Sequence, residues 1–461
     1  MALVPLLRSC SHNHIPLQAF RAVHRSTRAA LATSTLTTSQ VSNKDSHRPE
    51  GRCASGSFAP AVSSIWQPNS AATRLQISRN RHQSRFQSTS SSPLTTLSLD
   101  DPYCNIPPSI ADRLGTNLHL QQNHPLQILS HKIQQHFGSN FLTLDQLSPV
   151  VSTHDCFDTL RIPLDHVSRQ ITDTYYVNPQ TVLRTHTSAH QIDTLQQGHN
   201  QFLVVGDVYR RDEIDKSHYP VFHQMEGVKI FTNDDFAAAN VSLSSQEAQL
   251  THIEQHLKHT LEQLAISIFG ECEMRWVDEY FPFTHPSFEL EILFQGEWME
   301  VLGCGVVHPE IMANAGRPHE QGWAFGLGLE RWAMVLFDIP DIRLFWTQDD
   351  RFHRQFQSGE IVTFQPYSKY PPCFKDLSFW IHEPKDFHVN NLMELVRNVA
   401  GDLVEEVVLI DEFTHPKTNR LSQCYRIAYR SMDRSLTNEE IDDLQFRVRK
   451  LTEEELPVEL R

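Results

Sequence analysis

Two arginines carry most of the chemistry legible in this sequence. Arg210 lies in Gly206-Asp207-Val208-Tyr209-Arg210-Arg211-Asp212, which runs on to Phe222-His223-Gln224-Met225-Glu226-Gly227, and Arg331 closes Gly326-Leu327-Gly328-Leu329-Glu330-Arg331. Each falls where a predicted strand meets a turn or a helix. Arginine is always charged and presents a planar fork of donors, so it suits phosphate oxygens. Two such forks on separate elements can hold both ends of a bent triphosphate. Chemistry at phosphorus asks the protein to position reactants and neutralise charge more than to form covalent bonds. Taken singly, an arginine at a strand end is more often a solvated or ion-paired surface residue. The order and spacing of the two segments together are what is specific.

These segments resemble motifs 2 and 3 of the class II aminoacyl-tRNA synthetases. Arg184-Thr185-His186-Thr187-Ser188-Ala189-His190-Gln191, Tyr280-Phe281-Pro282-Phe283-Thr284-His285-Pro286-Ser287 and Gly322-Trp323-Ala324-Phe325 extend the resemblance to the mitochondrial phenylalanyl-tRNA synthetases, from residue 100 to near the C-terminus. The resemblance implies ATP-dependent activation of L-phenylalanine and its transfer to the terminal 2′-hydroxyl of mitochondrial tRNA(Phe). It implies Arg210 on the α-phosphate, Arg331 on the γ-phosphate, Ser217, His218 and Tyr219 at the β/γ end, and Phe222 stacked on adenine. Gly328 would let the nucleotide approach closely. Glu300 is a candidate for the amino group or for Mg²⁺, which bridges phosphate oxygens and arrives with ATP; no tightly bound metal is expected. His186, Ser188, Ala189, His190 and Gln191 would line the amino-acid site, with Gln224, Met225 and Glu226 toward the α-amino group. Phe281 and Phe283 would meet the substrate ring edge to face, an arrangement that adds about 0.5–1.5 kcal/mol beyond area burial. Ala324 and Phe325 would form the pocket floor. A monomer is expected. Motif 2 departs from the usual Arg-x-Glu, reading Arg210-Arg211-Asp212.

The elements that must position these residues form an α+β catalytic domain on an antiparallel sheet, expected over residues 100–355. Pro125, Leu126, Leu129, Ile133 and Phe137 predict a helix ended by Gly138. Gln201–Val205 reads as a buried strand leading into Arg210. A long helix is expected from a Ser244/Glu247 capping box through Leu250, Ile253, Leu257, Leu261, Leu264 and Ile268 to Gly270. Alternation over Phe288–Phe294 and Trp298–Leu302 around Gln295-Gly296 predicts a hairpin. Arg331 is expected to open a helix after a glycine-rich turn.

Residues 356–367 read as a linker, and 368–461 as strand, helix, two strands, helix and strand, the βαββαβ order of a ferredoxin-like fold. This part resembles the anticodon-binding domain of the same enzymes. Along Leu421–Tyr429 the odd positions Leu421, Tyr425, Ile427 and Tyr429 are apolar, so Arg420, Arg426 and Arg430, with Lys417 nearby, should line an open face. Guanidinium planes there can stack on bases and meet phosphates of single-stranded RNA. A solvated outer face is the alternative reading.

The first ninety residues stand apart. They hold eleven Lys and Arg against Asp45 and Glu50, a net +9; since the chain carries −15, residues 91–461 carry −24. An arginine- and serine-rich, acid-poor leader is the mark of an organellar transit peptide, with an N-terminal arm that binds something acidic as the alternative; the resemblance implies the mitochondrial matrix. The eight cysteines show no Cys-x-x-Cys pair, against both a zinc site and a disulfide framework. No apolar run approaches the ~20 residues that cross a bilayer.

Overall fold

The computed structural model describes residues 101–367 and 370–461; the expected leader lies outside them. The strands of the first part are β1 (Leu142–Leu144), β2 (Val150–Ser152), β3 (Tyr176–Asn178), β4 (Thr181–Leu183), β5 (Gln201–Tyr209), β6 (Val221–Phe231), β7 (Met274–Glu279), β8 (Thr284–Phe294), β9 (Glu297–Val307) and β10 (Gln321–Gly328). Seven of them form one sheet, in the order β1-β5-β6-β10-β9-β8-β7, antiparallel except for the parallel β1–β5 pair; β2, β4 and β3 form a small second sheet.

Helices α1 (Pro125–Phe137), α2 (Gln246–Phe269) and α3 (Leu329–Leu336) cover one face of the large sheet. Leu203, Met225, Leu290, Leu302 and Phe325 from the strands join Leu129, Ile133, Leu257, Leu261 and Trp332 from the helices in one buried core. α1 begins at Pro125, capped by His124, whose Nδ1 accepts the Leu126 N–H. α2 keeps its predicted stripe and its end at Gly270, but its cap is Ser245 rather than Ser244. The helix starts at Gln246, so the third position is Ala248, whose N–H Ser245 accepts, and Glu247 is out of register for a capping box. The expected glycine-rich turn before Arg331 is also corrected. Gly326 and Gly328 are ladder residues of β10, and α3 follows without a loop.

The β8–β9 hairpin turns at Gln295-Gly296, both at positive φ (54° and 92°). A register shift follows: Leu290 faces Leu302, but Glu291 faces Glu300. This bulge places an extra residue in β9 and re-aims the side chains beyond it.

The second part holds β11 (Cys373–Ile381), α4 (Val389–Ala400), β12 (Val404–Thr414), β13 (Leu421–Tyr429), α5 (Asn438–Glu455) and β14 (Val458–Leu460), with sheet order β12-β13-β11-β14. Phe379, Tyr425, Ile427, Val396, Leu444 and Val448 form its core, and Thr437 with Glu440 makes the predicted capping box. The stretch read as a linker is docked: Phe364 is buried and its N–H donates to Phe337 O. No helix among the described residues is long and apolar enough to cross a membrane.

Candidate active site

Directly paired residues on neighbouring antiparallel strands share a face. On the face away from the helices one row reads Val228, Ala324, Gly305, Ser287, and the next reads Glu226, Gly326, Gly303, Glu289. A third holds Gly206, Gln224 and Gly328. Glu226 and Glu289 therefore stand level, separated by two strands that present only glycine, Gly326 and Gly303, in that row. A β-carbon added at Gly328 would meet nothing within 4 Å. β5 and β10 are both antiparallel to β6, so Arg210, just past β5, and Arg331, in the first turn of α3, reach the same end of the sheet.

At that end Arg210 Nε donates to Thr185 O at 2.9 Å, and its guanidinium lies 5.1 Å from the centre of the Phe222 ring. Burial lowers Arg210 to about 10, which leaves it a cation at neutral pH. Arg331 Nη1 lies 3.6 Å from Glu300 Oε2. Burial raises Glu300 to about 8 against the pull of Arg331, and the neighbouring Glu289 pushes the same way. The β9 bulge brings Glu300 to the Glu289–Glu291 side of the sheet.

Next to Thr185, on the same face, polar side chains are buried without partners. Thr187 Oγ1, both amide atoms of Gln191 and Gln224 Nε2 have no hydrogen-bond partner, and the His186 ring nitrogens, Ser188 Oγ and the Glu226 carboxylate make no hydrogen bond of good geometry, although Ser188 lies near enough to Glu226 to favour its charge. Such a group costs about 1–3 kcal/mol when left unsatisfied, and native proteins rarely gather so many. Burial pushes the Glu226 carboxyl up and holds His186 well below its ordinary value, hence neutral. Beside them Phe281 and Phe283, each 1% exposed, lie parallel at 6.0 Å in an apolar cluster with Ala189, Val228 and Ala324.

Two candidate pocket residues are corrected, and a third is redirected. Met225 and Phe325 alternate with Gln224, Glu226 and Ala324, so they point into the helix-facing core; Phe325 stacks on Phe137 at 5.3 Å and caps Gly227. His190 turns to Arg184: Arg184 Nη1 lies 2.9 Å from His190 Nε2, while Nη2 pairs with Asp207 Oδ1 at 2.6 Å. Burial and that guanidinium lower His190 to about 3, leaving it a neutral acceptor. A β-carbon on Gly206 would lie 2.1 Å from Arg184 Nη2, which explains the glycine.

In the 210–220 loop, His218 Nδ1 lies 2.7 Å from Asp215 Oδ2 and Ser217 Oγ 2.9 Å from Asp215 Oδ1. Burial alone would lower His218; the bond and charge of Asp215 outweigh it and raise it to about 9. Tyr219 is engaged elsewhere, its hydroxyl donating to Asp402 Oδ1 at 2.8 Å and its ring stacked on Trp346.

The arginines of the second part divide. Arg426 makes a two-point pair with Asp376, and Arg420 pairs with Glu459 and lies 5.3 Å over Trp380. Arg430 instead sits at the seam with the first part, bonded to Glu405 while its carbonyl accepts from Arg343. Lys417 lies exposed in the β12–β13 turn. Sequence reading missed Trp380, which Phe413, His415 and Arg461 surround; its even position among the core residues Leu377, Phe379 and Ile381 was the available signal. It also missed Glu289, which lies level with Glu226 on the same sheet face. It missed the His223–Glu330 contact too, in which Glu330 accepts the His223 N–H at 2.8 Å and tethers motif 2 to motif 3.

Residues 112–356 match the tRNA synthetases class II core domain (F), and residues 368–461 match the ferredoxin-fold anticodon binding domain. The first part is thus a class II aminoacyl-tRNA synthetase core. The chain is 56% identical over 367 residues to the chloroplastic/mitochondrial phenylalanine–tRNA ligase of Arabidopsis thaliana, covering 78% of this chain and 84% of that one. It is 42% identical over 435 residues to the mitochondrial phenylalanine–tRNA ligase of Saccharomyces cerevisiae, covering 78% and 93%. A phenylalanine–tRNA ligase alpha subunit of Psychrobacter arcticus is 36% identical over 239 residues, covering 50% of this chain and 63% of that one. The chain belongs to the mitochondrial phenylalanine–tRNA ligase family.

Proposed function

We propose that this chain activates phenylalanine with ATP and esterifies it to mitochondrial tRNA(Phe), with the residues above in the following roles. The single observation that carries the site assignment is the set of unpartnered buried polar atoms on His186, Ser188, Gln191, Gln224 and Glu226. An α-ammonium and α-carboxylate would complete them, and the benzyl group fits the adjacent Phe281–Phe283–Ala189–Ala324 cluster. The Glu226 carboxylate takes the ammonium, with Gln224 Oε1, which the Thr187 N–H reaches at 3.4 Å, beside it. That orientation sends the carboxylate along the sheet toward Arg210.

A carboxylate oxygen attacks the α-phosphorus, the bond to the β-phosphate breaks, and pyrophosphate leaves. Arg210 braces the α-phosphate, Arg331 and His218 with Ser217 meet the far phosphates, and Phe222 offers its ring to adenine. The terminal adenosine 2′-hydroxyl of tRNA then attacks the acyl carbon, loses its proton, and AMP departs. Class II synthetases generally use Mg²⁺ with ATP. Glu300 and Glu289 fit that ion, since carboxylate oxygens are its preferred ligands and Glu300 Oε1 is buried without a hydrogen-bond partner. Bound there, Mg²⁺ would neutralise phosphate charge. Trp380 joins Arg420, Arg426 and Lys417 as the RNA-facing platform, with Arg430 a weaker member because it lies at the seam. A monomer is supported by α1, whose apolar face is used up within its own chain.

ATP–pyrophosphate exchange across twenty amino acids tests the assignment. Exchange should depend on phenylalanine and be abolished in Arg210→Ala without loss of fold. Near-normal exchange in that variant would refute the role of Arg210.

A further inference from the structure

The 210–220 loop follows Arg210 and carries Ser217 and His218, yet its backbone is held from the far end of the chain. Arg397 on α4, buried, donates Nη1 to Glu394 Oε2 at 2.8 Å and turns Nη2 to the carbonyls of Asp212 (2.8 Å) and Glu213 (3.3 Å). Asn390 Nδ2 donates to the carbonyls of Arg211 (3.2 Å) and Thr172 (3.0 Å). Arg211 Nη2 reaches Asn391 Oδ1 at 3.2 Å. The Val407 N–H donates to Ile214 O at 3.0 Å, and the Ile214 side chain belongs to the core of the ferredoxin-like part. Lys216 pairs with Glu405 at 3.5 Å, and Tyr219 bonds Asp402.

These contacts exceed what a tether requires. Arg343 already joins the two parts, donating to the carbonyls of Asp402, Val404 and Arg430, and Arg113 pairs with Asp402 at 2.8 Å. The contacts on 210–220 go largely to main-chain groups of one loop, the kind of bond that fixes backbone course. A loop ordered only when its ligand arrives loses conformational entropy at that moment, and a loop ordered beforehand binds more tightly. The loop's own apolar content is small, so α4 and β12 supply that order.

We propose that the ferredoxin-like domain is a working part of the ATP site, with Arg397 and Asn390 as positioning residues. They set the 210–220 loop for the nucleotide during adenylate formation, a step that involves no tRNA. This rests on the reading of Ser217 and His218 as ATP contacts. The domain then has two jobs on separate surfaces: the Trp380 side of its sheet for RNA, and α4 with β12 for the loop.

The test uses the full-length protein in phenylalanine-dependent pyrophosphate exchange without tRNA. Arg397→Lys keeps a cation for Glu394 but cannot also span the Asp212 and Glu213 carbonyls; Asn390→Ala removes one donor and little volume. KM for ATP should rise about tenfold in Arg397→Lys, below the roughly hundredfold cost of an ångström-scale misplacement. Asn390→Ala should follow in the same direction, with KM for phenylalanine within about twofold of wild type, since these side chains bond the backbone of the 210–220 loop and not the residues around Phe281 and Phe283. Wild-type ATP parameters in both variants would overturn the proposal. So would equal losses in the ATP and phenylalanine parameters that track a fall in melting temperature, because that pattern marks a purely structural role. Absence of phenylalanine-dependent exchange in the wild type would sink the parent reading instead.

Discussion

Replacing Glu226 with methionine should make the free protein more stable and unable to bind phenylalanine. The carboxylate is fully buried, and the Ser188 hydroxyl beside it, which favours its charge, makes no hydrogen bond of good geometry to either oxygen. An unsatisfied buried polar group costs about 1–3 kcal/mol, so the low end for two oxygens gives about 2 kcal/mol. Methionine has a similar shape and no such requirement. A kcal/mol moves the melting temperature about 2–4 °C in a unit of 150–250 residues and less in a larger one, so a rise of roughly 3–5 °C is expected at pH 7.5. Phenylalanine at about a hundred times its Kd should stabilise the wild type by about 2.7 kcal/mol and the variant not at all. The pH dependence has a definite sign. Burial raises the Glu226 carboxyl above its ordinary 4.5 in the folded state, so the penalty on its charge is full above the raised value and vanishes below 4.5. The advantage of the variant should therefore shrink as pH falls toward 4.5. Scanning calorimetry with and without L-phenylalanine reads all three effects. A variant that melts below the wild type, or that phenylalanine still stabilises, would show that the carboxylate has a partner within the protein and that the unpartnered cluster is not a ligand site.

Trp380→Ala should raise KM for tRNA(Phe) roughly five- to hundredfold, since stacking of a base on an aromatic ring is worth about 1–3 kcal/mol; an unchanged KM would remove Trp380 from the platform. An apolar pocket rejects an added hydroxyl only about 10²-fold, so tyrosine at saturation should support measurable exchange, and none detectable would mean a polar rejection device near Phe281 and Phe283. Raising the pH through about 9 should discharge His218 and raise KM for ATP. The substitution His218→Arg, which keeps a cation there at every pH in the range, should flatten that rise, and an identical pH profile in the variant would exclude His218 from the phosphates.

Strands and helices were legible where one period dominates. The α2 stripe, the β8–β9 hairpin and the βαββαβ order follow from local pattern, because each element buries one face. Face assignment was less secure. Met225 and Phe325 alternate with Gln224, Glu226 and Ala324, and strand alternation alone assigns them to the helix-facing core. Alternation fails in the opposite sense at Glu300. Counting in twos from Gly303 leads to Val301, and only the extra residue of the bulge swings Glu300 to the face of Glu289 and Glu291. Nothing local in Trp298–Leu302 announces that bulge, because a register shift is a property of two strands together. The loop after Arg210 shows the same limit at longer range. Its charged, glycine-free sequence reads as a solvent-facing turn, while the groups that fix it lie in α4 and β12, far along the chain. Residue types thus disclose which chemistry is available, whereas the geometry that makes it usable here depends on pairings between distant segments.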